Sequence, residues 1–296
     1  LIDQEKLRRG VIAASAGNHA QGLSYHGTRL GLPVTIVMPR STPSVKVMQT
    51  QAVGGKVVLV DRADFVTEVA HEIAHEVAAD GRTVGFVADL ETYEGARAAM
   101  AFAAQTFGGI DILVNNASAI SLTGMLATPM KRFDLMFDVN VRGTFLTSQA
   151  AIPYLRESGK EGRNPQILNL APPLSMKAKW FKNHVAYTMA KYGMSMCVLG
   201  MSEEFKRDGI AVNALWPRTA IDTAALAMIP GIDTAACRTP EILADAAYII
   251  LNRPAAESTG NFYVDDEVLA SEGITDLDKY AVVPGTKDFL LDFFLD

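Results

Sequence analysis

Short runs of β-branched and other apolar residues alternate with stretches of helical periodicity along nearly the whole chain. The runs are VIAASA (11–16), VTIVMP (34–39), KVVLVD (56–61), TVGFVADL (83–90), IDILVNNAS (110–118), QILNLAPP (166–173), IAVNALWP (210–217) and GNFYVDD (260–266). Strand-like runs separated by helical segments imply βαβ units, and therefore an α/β fold: a doubly wound, mostly parallel, Rossmann-like sheet with helices on both faces. In such sheets ligands bind beyond the carboxyl ends of the strands, where NNAS (115–118), the loop after Asn169 and Pro217 should cluster.

The longest helical pattern runs from His184 to Gly209. Val185, Met189, Met196, Val198, Leu199 and Phe205 recur at helical spacing, Lys206 and Arg207 fall in the last turn, and Gly209 is a stop signal. Tyr187 and Lys191, four residues apart on that helix, share a face. A free phenol titrates near ~10. An ammonium one turn away favours the phenolate, so Tyr187 is expected to move toward the working range and to trade a proton with an alcohol or carbonyl. Tyr-x-x-x-Lys alone arises by chance on any surface helix. The final stretch, Ser271 to Asp296, has little helical periodicity but ends in Phe289, Phe293 and Phe294, so it should pack over the domain or against a second subunit.

A chain of 296 residues fits one or two domains, and 49% hydrophobic with 20% charged residues suffices for a large core. A net charge of -6 argues against nucleic acid or an anionic membrane as the main partner. Two cysteines, Cys197 and Cys237, are too few for a disulfide framework and fit a reducing compartment. No apolar run reaches the ~18 residues of a membrane span, and LIDQEKLRRG lacks the apolar core of a signal peptide. The expectation is a cytoplasmic protein with no membrane span. His71-Glu72-Ile73-Ala74-His75 matches H-E-x-x-H, but Phe65, Val69, Ile73 and Val77 make its helix an ordinary amphipathic one, so no metal is expected.

Asn115-Asn116-Ala117-Ser118 after an apolar run, Asn140 in DVNVRGTF, Tyr187 and Lys191, and a strand ending in Pro217 follow one another in the order and at the separations of a known family. The chain resembles the short-chain dehydrogenases/reductases. From about residue 115 onward, AYTMAKYGMSM, NALWPRTAIDTAA and DFFLD resemble more narrowly the hydroxysteroid-dehydrogenase-like branch. From about 56 to 115, VVLVDRADFVTEVAHEIA and GGIDILVNNA are similar to dehydrogenases of cyclohexadiene cis-diol carboxylates. Residues 10 to 58, with SAGNHAQG at 15–22, resemble threonine dehydratase, a pyridoxal-phosphate enzyme. The chain thus reads as a chimera: a dehydratase-like βαβα segment (1–55), adding an extra βα unit, before a dehydrogenase-like domain (56–296), the two packed as one domain.

The resemblance implies an NAD or NADP oxidoreductase that interconverts a secondary alcohol and a ketone. Tyr187 would be the acid/base, Lys191 would bind the nicotinamide ribose, Asn140 would hold a water in the proton relay, and Ser175 would donate to the substrate oxygen. Ser175 sits one residue off the common spacing. The cofactor would be held by Asp61, Asp89, Asn116, Ala117, Lys191, Pro217 and Thr219. An acid at the end of KVVLV accepts from the adenosine ribose hydroxyls, so Asp61 favours NAD slightly; a loop-edge surface acid is an equal reading there and at Asp89. The substrate pocket would be apolar, lined by Leu122, Met125, Leu126, Met130, Ile221, Leu226 and Met228, and the family commonly forms homodimers or homotetramers.

Two features oppose that reading. The family's Thr-Gly-x-x-x-Gly-x-Gly phosphate loop is replaced by Met38 to Ser44, which has no glycine, and the glycines of the other candidate loop, Ala16 to Gly22, are spaced differently. One alternative is therefore a catalytically impaired scaffold. The other is a pyridoxal-phosphate lyase with Asn18 against the cofactor ring, opposed by the missing segment that carries the Schiff-base lysine.

Overall fold

The computed structural model describes residues 11–14, 34–39, 44–52, 56–60, 86, 88–223, 226 and 231–295. The chain divides into two units, Leu1–Ala88 and Asp89–Asp296. In the first, β1 (Val11–Ala14), β2 (Val34–Pro39) and β3 (Lys56–Val60) form a parallel sheet in the order β1-β2-β3, and α1 (Ser44–Ala52) links β2 to β3. The register runs from Val11 opposite Val34 to Pro39 opposite Val60. The extra N-terminal strand is thus a partner of β2. The SAGNHAQG run, both candidate phosphate loops for most of their length, Asp61 and the H-E-x-x-H segment lie outside the described residues.

In the second unit, α2 (Tyr93–Phe107) precedes a parallel sheet of β4 (Ile112–Asn115), β5 (Gln166–Leu170), β6 (Ala211–Trp216) and β7 (Phe262–Val264), in that order. Between β4 and β5 come α3 (Met130–Met136), a π-helical stretch (Phe137–Gly143) and α4 (Thr144–Lys160). The remaining crossovers carry α5 (Val185–Glu204) and α6 (Glu241–Asn252), and α7 (Asp265–Ser271) follows β7. Successive side chains of a strand point to opposite faces, and here both faces are covered. Ile167 packs with Ile152, Leu155, Met194 and Val198 on one side, while its neighbour Leu168 packs with Ala246, Ile250 and Val268 on the other. That is the doubly wound arrangement the alternating pattern implies. β4 is the exception: Leu113 and Asn115 are buried, whereas Ile112 and Val114 remain exposed.

Local signals explain the helix ends. Thr92 caps α2 by accepting the Gly95 N–H at 3.1 Å, and Gly108 closes it at a φ of 84° that only glycine adopts readily. α5 stops earlier than its pattern implies, at Glu204; the chain tightens into a 3₁₀ turn over Lys206–Asp208 before Gly209, at φ 70°, reverses it. Among the described residues of TVGFVADL (Phe86, Ala88, Asp89 and Leu90), none lies in a strand. No helix among the described residues is long and apolar enough to cross a membrane.

Candidate functional site

Buried amides and hydroxyls fix the carboxyl ends of β4 and β5. Asn115 Nδ2 donates to Asn169 Oδ1 at 2.9 Å and to Ser148 Oγ at 3.0 Å, and its Oδ1 accepts from Thr147 Oγ1 at 2.7 Å. Asn169 in turn donates to the Met194 carbonyl at 3.3 Å. Every partner in this set is buried, so removing one leaves an unpaired polar group in a dry core. Two further bonds lock α5 onto the end of β5: Lys191 Nζ donates to the Leu170 carbonyl at 3.0 Å, and Ser195 Oγ to the Pro172 carbonyl at 2.7 Å.

Asn140 lies in the π-helical stretch, a geometry that recurs at functional sites. Its side chain is fully buried and doubly bonded to one residue: Oδ1 accepts the Ala119 N–H at 2.7 Å and Nδ2 donates to the Ala119 carbonyl at 3.0 Å. The loop after β4 is thereby clamped to the π-helix. α5 packs closely on this stretch because Gly193 has no side chain; a Cβ there would stand 2.7 Å from Val141 Cγ2.

Tyr187 and Lys191 occupy the buried face of α5. Burial lowers the Lys191 ammonium to about 8, and the Asp292 carboxylate acts in the opposite direction. The Tyr187 phenol moves upward, first through burial and second through the charge of Asp292. The expectation that Lys191 draws this phenol toward neutrality is therefore corrected: in the protein alone, desolvation of the phenolate outweighs the cation one turn away.

The Tyr187 ring stands 6.2 Å from that of Phe294, which also meets Trp216 at 5.8 Å, Tyr192 at 5.3 Å and Trp180 at 6.0 Å. Trp216 supports Lys191 from below, its ring 5.1 Å from Nζ, and donates Nε1–H to the Phe293 carbonyl at 2.9 Å. The C-terminal segment therefore packs onto its own domain, at this site.

The other sequence-derived residues are distributed as follows. Pro217 and Thr219 are buried just past β6, and the Thr219 hydroxyl has no hydrogen-bond partner. Asn116 and Ala117 are exposed past β4. Ser175 is half-buried, and its hydroxyl accepts the Lys177 N–H at 3.3 Å within its own loop. Asp89 is exposed; its carboxylate accepts the Glu91 N–H at 3.0 Å and its carbonyl the Thr92 hydroxyl at 2.9 Å, which shapes the turn into α2. Of the apolar residues, Met125, Leu126 and Met130 are exposed, Ile221 is buried, and Met228 lies outside the described residues. No metal-binding group of acids, histidines and cysteines occurs among the described residues.

These groups suit the nicotinamide end of a dinucleotide. A lysine has three N–H donors, and Lys191 gives one to the Leu170 carbonyl and makes a longer contact to Met194 Sδ at 3.7 Å, leaving donor capacity for ribose hydroxyls. The orphaned Thr219 hydroxyl can pair with an amide. Sequence reasoning missed Asn169, Thr147, Ser148, Asp292 and Phe294 as parts of the site. The terminal aromatics and DFFLD carried a signal, the first as a segment expected to pack over the domain and the second through the family resemblance, but neither has a periodicity from which to place it at this site.

Comparison with known proteins supports the same reading. The model of the short chain dehydrogenase family matches residues 46–229. Hydroxysteroid dehydrogenase-like protein 2 of Xenopus tropicalis is 58% identical over 221 residues, which cover 74% of this chain and 51% of that protein. The chain thus spans about half the length of the curated relatives it matches. A solved structure from Xanthomonas campestris superposes with a TM-score of 0.68 at 42% identity, covering 96% of each chain. A short chain dehydrogenase from Mycobacterium thermoresistibile gives a TM-score of 0.65 at 34% identity, covering 98% of this chain and 96% of its own.

Proposed function

The chain belongs to the short-chain dehydrogenase family, and from that premise we propose that it is a nicotinamide-dependent oxidoreductase acting on an apolar secondary alcohol or ketone. The observation that carries the reading is Lys191: an ammonium 4% exposed, with one backbone carbonyl as its oxygen partner and Tyr187 one turn before it, beyond the carboxyl ends of β5 and β6. Burying a cation costs several kcal/mol unless it is partnered, so one so poorly satisfied is consistent with a binding role.

When bound, the nicotinamide supplies or accepts the hydride. Lys191 holds the ribose hydroxyls. Tyr187 donates a proton to the ketone oxygen, or takes one from the alcohol. Asn140 fixes the loop that follows β4, and through it Asn116 and Ala117. Ser175 donates to the substrate oxygen. Thr219 Oγ1 receives the nicotinamide amide. The exposed Met125, Leu126 and Met130 form an apolar mouth suited to a lipid-like or acyl substrate. Phe145, Met189, Met196 and Leu199, exposed on α4 and α5, are proposed as the contact of a homodimer.

The test is a fluorescence titration of the protein with NADH and with NADPH. Saturation near micromolar concentration, on the order of -8 kcal/mol, followed by turnover of apolar ketones that Tyr187→Phe abolishes, is the expected result. No saturation with either dinucleotide would overturn the reading and leave the impaired scaffold.

A further inference from the structure

At Phe294 the C-terminal segment stops being held by its backbone. Upstream, Leu290 accepts the Ala220 N–H at 2.8 Å and donates to the Ala236 carbonyl at 2.8 Å, and Leu291 bridges Thr219 in antiparallel fashion. Asp292 donates to the Arg218 carbonyl at 3.0 Å, and the Phe293 carbonyl accepts Trp216 Nε1–H at 2.9 Å. No hydrogen bond among the described residues ties Phe294 to another element. Its ring holds it instead. Phe294 is 3% exposed, and its ring lies in a box of four aromatic side chains: Trp180 from the loop before α5, Tyr187 and Tyr192 from α5, and Trp216 from the end of β6.

The φ of Phe294, 75°, lies in the left-handed region, where a bulky residue is an outlier. Among the described residues the one other non-glycine with a positive φ is Asn183, a residue type that visits this region routinely. Strain of this kind persists only while the surroundings enforce it, and at Phe294 what enforces it is occupancy of the box. The same ring covers the residue that has to be reached. Tyr187 is 5% exposed, yet a substrate oxygen must come within hydrogen-bond reach of its hydroxyl, and the group that flanks that oxygen needs room beside the Tyr187 ring. Phe294 fills that room.

We propose that the aromatic box is an apolar subsite for the substrate, and that the Phe294 ring is its occupant in the ligand-free protein. A ligand that carries a compact apolar ring beside its carbinol or carbonyl carbon takes the box and displaces Phe294. The anchors from Leu290 to Phe293 stay in place, the chain pivots after Phe293, and the left-handed φ is released as the ring leaves. The apparent affinity of the ligand is lowered by the fraction of molecules in which the box is already open. That such a ligand is an alcohol or a ketone rests on the oxidoreductase reading; the displacement itself belongs to the protein alone.

Both tryptophans of the chain, Trp180 and Trp216, stand against Phe294, so protein labelled with fluorotryptophan gives ¹⁹F resonances that all feel the ring current of Phe294. Phe294→Ala supplies their positions with that ring absent. The probe is cyclohexanol, a secondary alcohol on a ring of phenyl size that has no ring current of its own. In the wild type without dinucleotide, cyclohexanol should move both resonances saturably toward their Phe294→Ala positions. The variant should bind cyclohexanol about tenfold more tightly or better, because no ring has to leave. A phenylalanine that is simply part of the core would also leave a cavity in the variant, but the wild-type resonances would then stay unmoved at every cyclohexanol concentration, and that result overturns the proposal. Should Phe294→Ala not fold, Phe294→Leu takes its place: leucine has no ring current, and convergence on its resonance positions, or none, decides in the same way. Converging resonances in a protein that binds neither NADH nor NADPH would keep the subsite and sink the oxidoreductase reading; dinucleotide binding and ketone turnover with unmoved resonances would do the reverse.

Discussion

Helix α5 and the C-terminal segment around Asp292 meet at Tyr187 and Lys191, but different forces hold them there. α5 is a continuous hydrogen-bonded rod of 20 residues. Its own periodicity aligns Tyr187 above Lys191, and a few bonds to the end of β5 dock it. The segment from Phe289 to Leu295 has no such internal order. It is held laterally, through backbone bonds to the loop past β6 and the Trp216 indole, and through aromatic packing around a backbone in the left-handed region. A helix carries its geometry with it, whereas a strap borrows its geometry from the surface it covers. Local substitutions on α5 should thus change chemistry, and those on the strap should change stability and access.

The largest effect should come from Tyr187→Phe. Removing the proton donor is expected to lower kcat about 10²–10⁴-fold with little change in Tm or NADH affinity, because α5 is docked by Lys191 and Ser195 and the phenol makes no hydrogen bond among the described residues. A comparable loss of NADH affinity would show that Tyr187 and Lys191 act as one binding unit, and the chemical role would fall.

Phe294 probes the other side. Phe294→Ala should cost about 3–5 kcal/mol in urea unfolding, since the ring is 3% exposed against Tyr187, Tyr192 and Trp216. Phe294→Gly should cost about 1 kcal/mol less than the alanine variant, because glycine relieves the left-handed strain. The usual order, with glycine the worse, would mean that the strap is not strained.

Next comes the clamp that joins the two sides through the β4 loop. Asn140→Ala leaves the Ala119 N–H and carbonyl without their partner and should destabilise the fold by about 1–3 kcal/mol. Asn140→Asp keeps the acceptor and loses the donor, so it should fall between the two; equal losses would mean that the carbonyl bond contributes nothing.

The smallest effect is a pH dependence. Burial raises Asp265 to about 6, so between the unfolded carboxylate value and 6 the folded state holds a proton that the unfolded state releases, and stability falls as pH rises through that window. Lys191, lowered to about 8, acts in reverse: from about 8 upward the unfolded lysine holds the extra proton, so stability rises with pH. Asp292, also raised to about 6 by burial, contributes to the same acid slope, so Asp265→Asn should reduce that slope and leave the alkaline one. Loss of both slopes would tie Asp265 into the Lys191 cluster.

Much of this architecture was legible in the sequence. The strands VTIVMP, ILVN, QILNL, AVNALW and FYV occur where the apolar runs place them; in QILNL and AVNALW the reason is that a parallel strand covered on both faces must be apolar at successive positions. The pairing of Tyr187 with Lys191 followed from helical geometry alone. Ala88 to Leu90, at the end of TVGFVADL, lead into the turn that Asp89 builds toward α2 by accepting the Glu91 N–H. The upward shift of Tyr187 was not legible, because desolvation depends on what covers the phenol, and what covers it comes from residue 294.

What the sequence by itself determined is therefore whatever depends on neighbours within a few residues: the strands, the helices, their caps and stops, and the placing of Tyr187 one turn from Lys191. Tertiary structure alone decided which distant groups share a dielectric. It brought Asn115 to Asn169 and Ser148, Asn140 to Ala119, and Phe294 to Tyr187 across about a hundred residues of chain. Periodicity encodes which face of an element is buried, but not which charge lies opposite that face. Coulomb interactions act through space and are stronger in the low-dielectric interior than in water, so no local pattern records them.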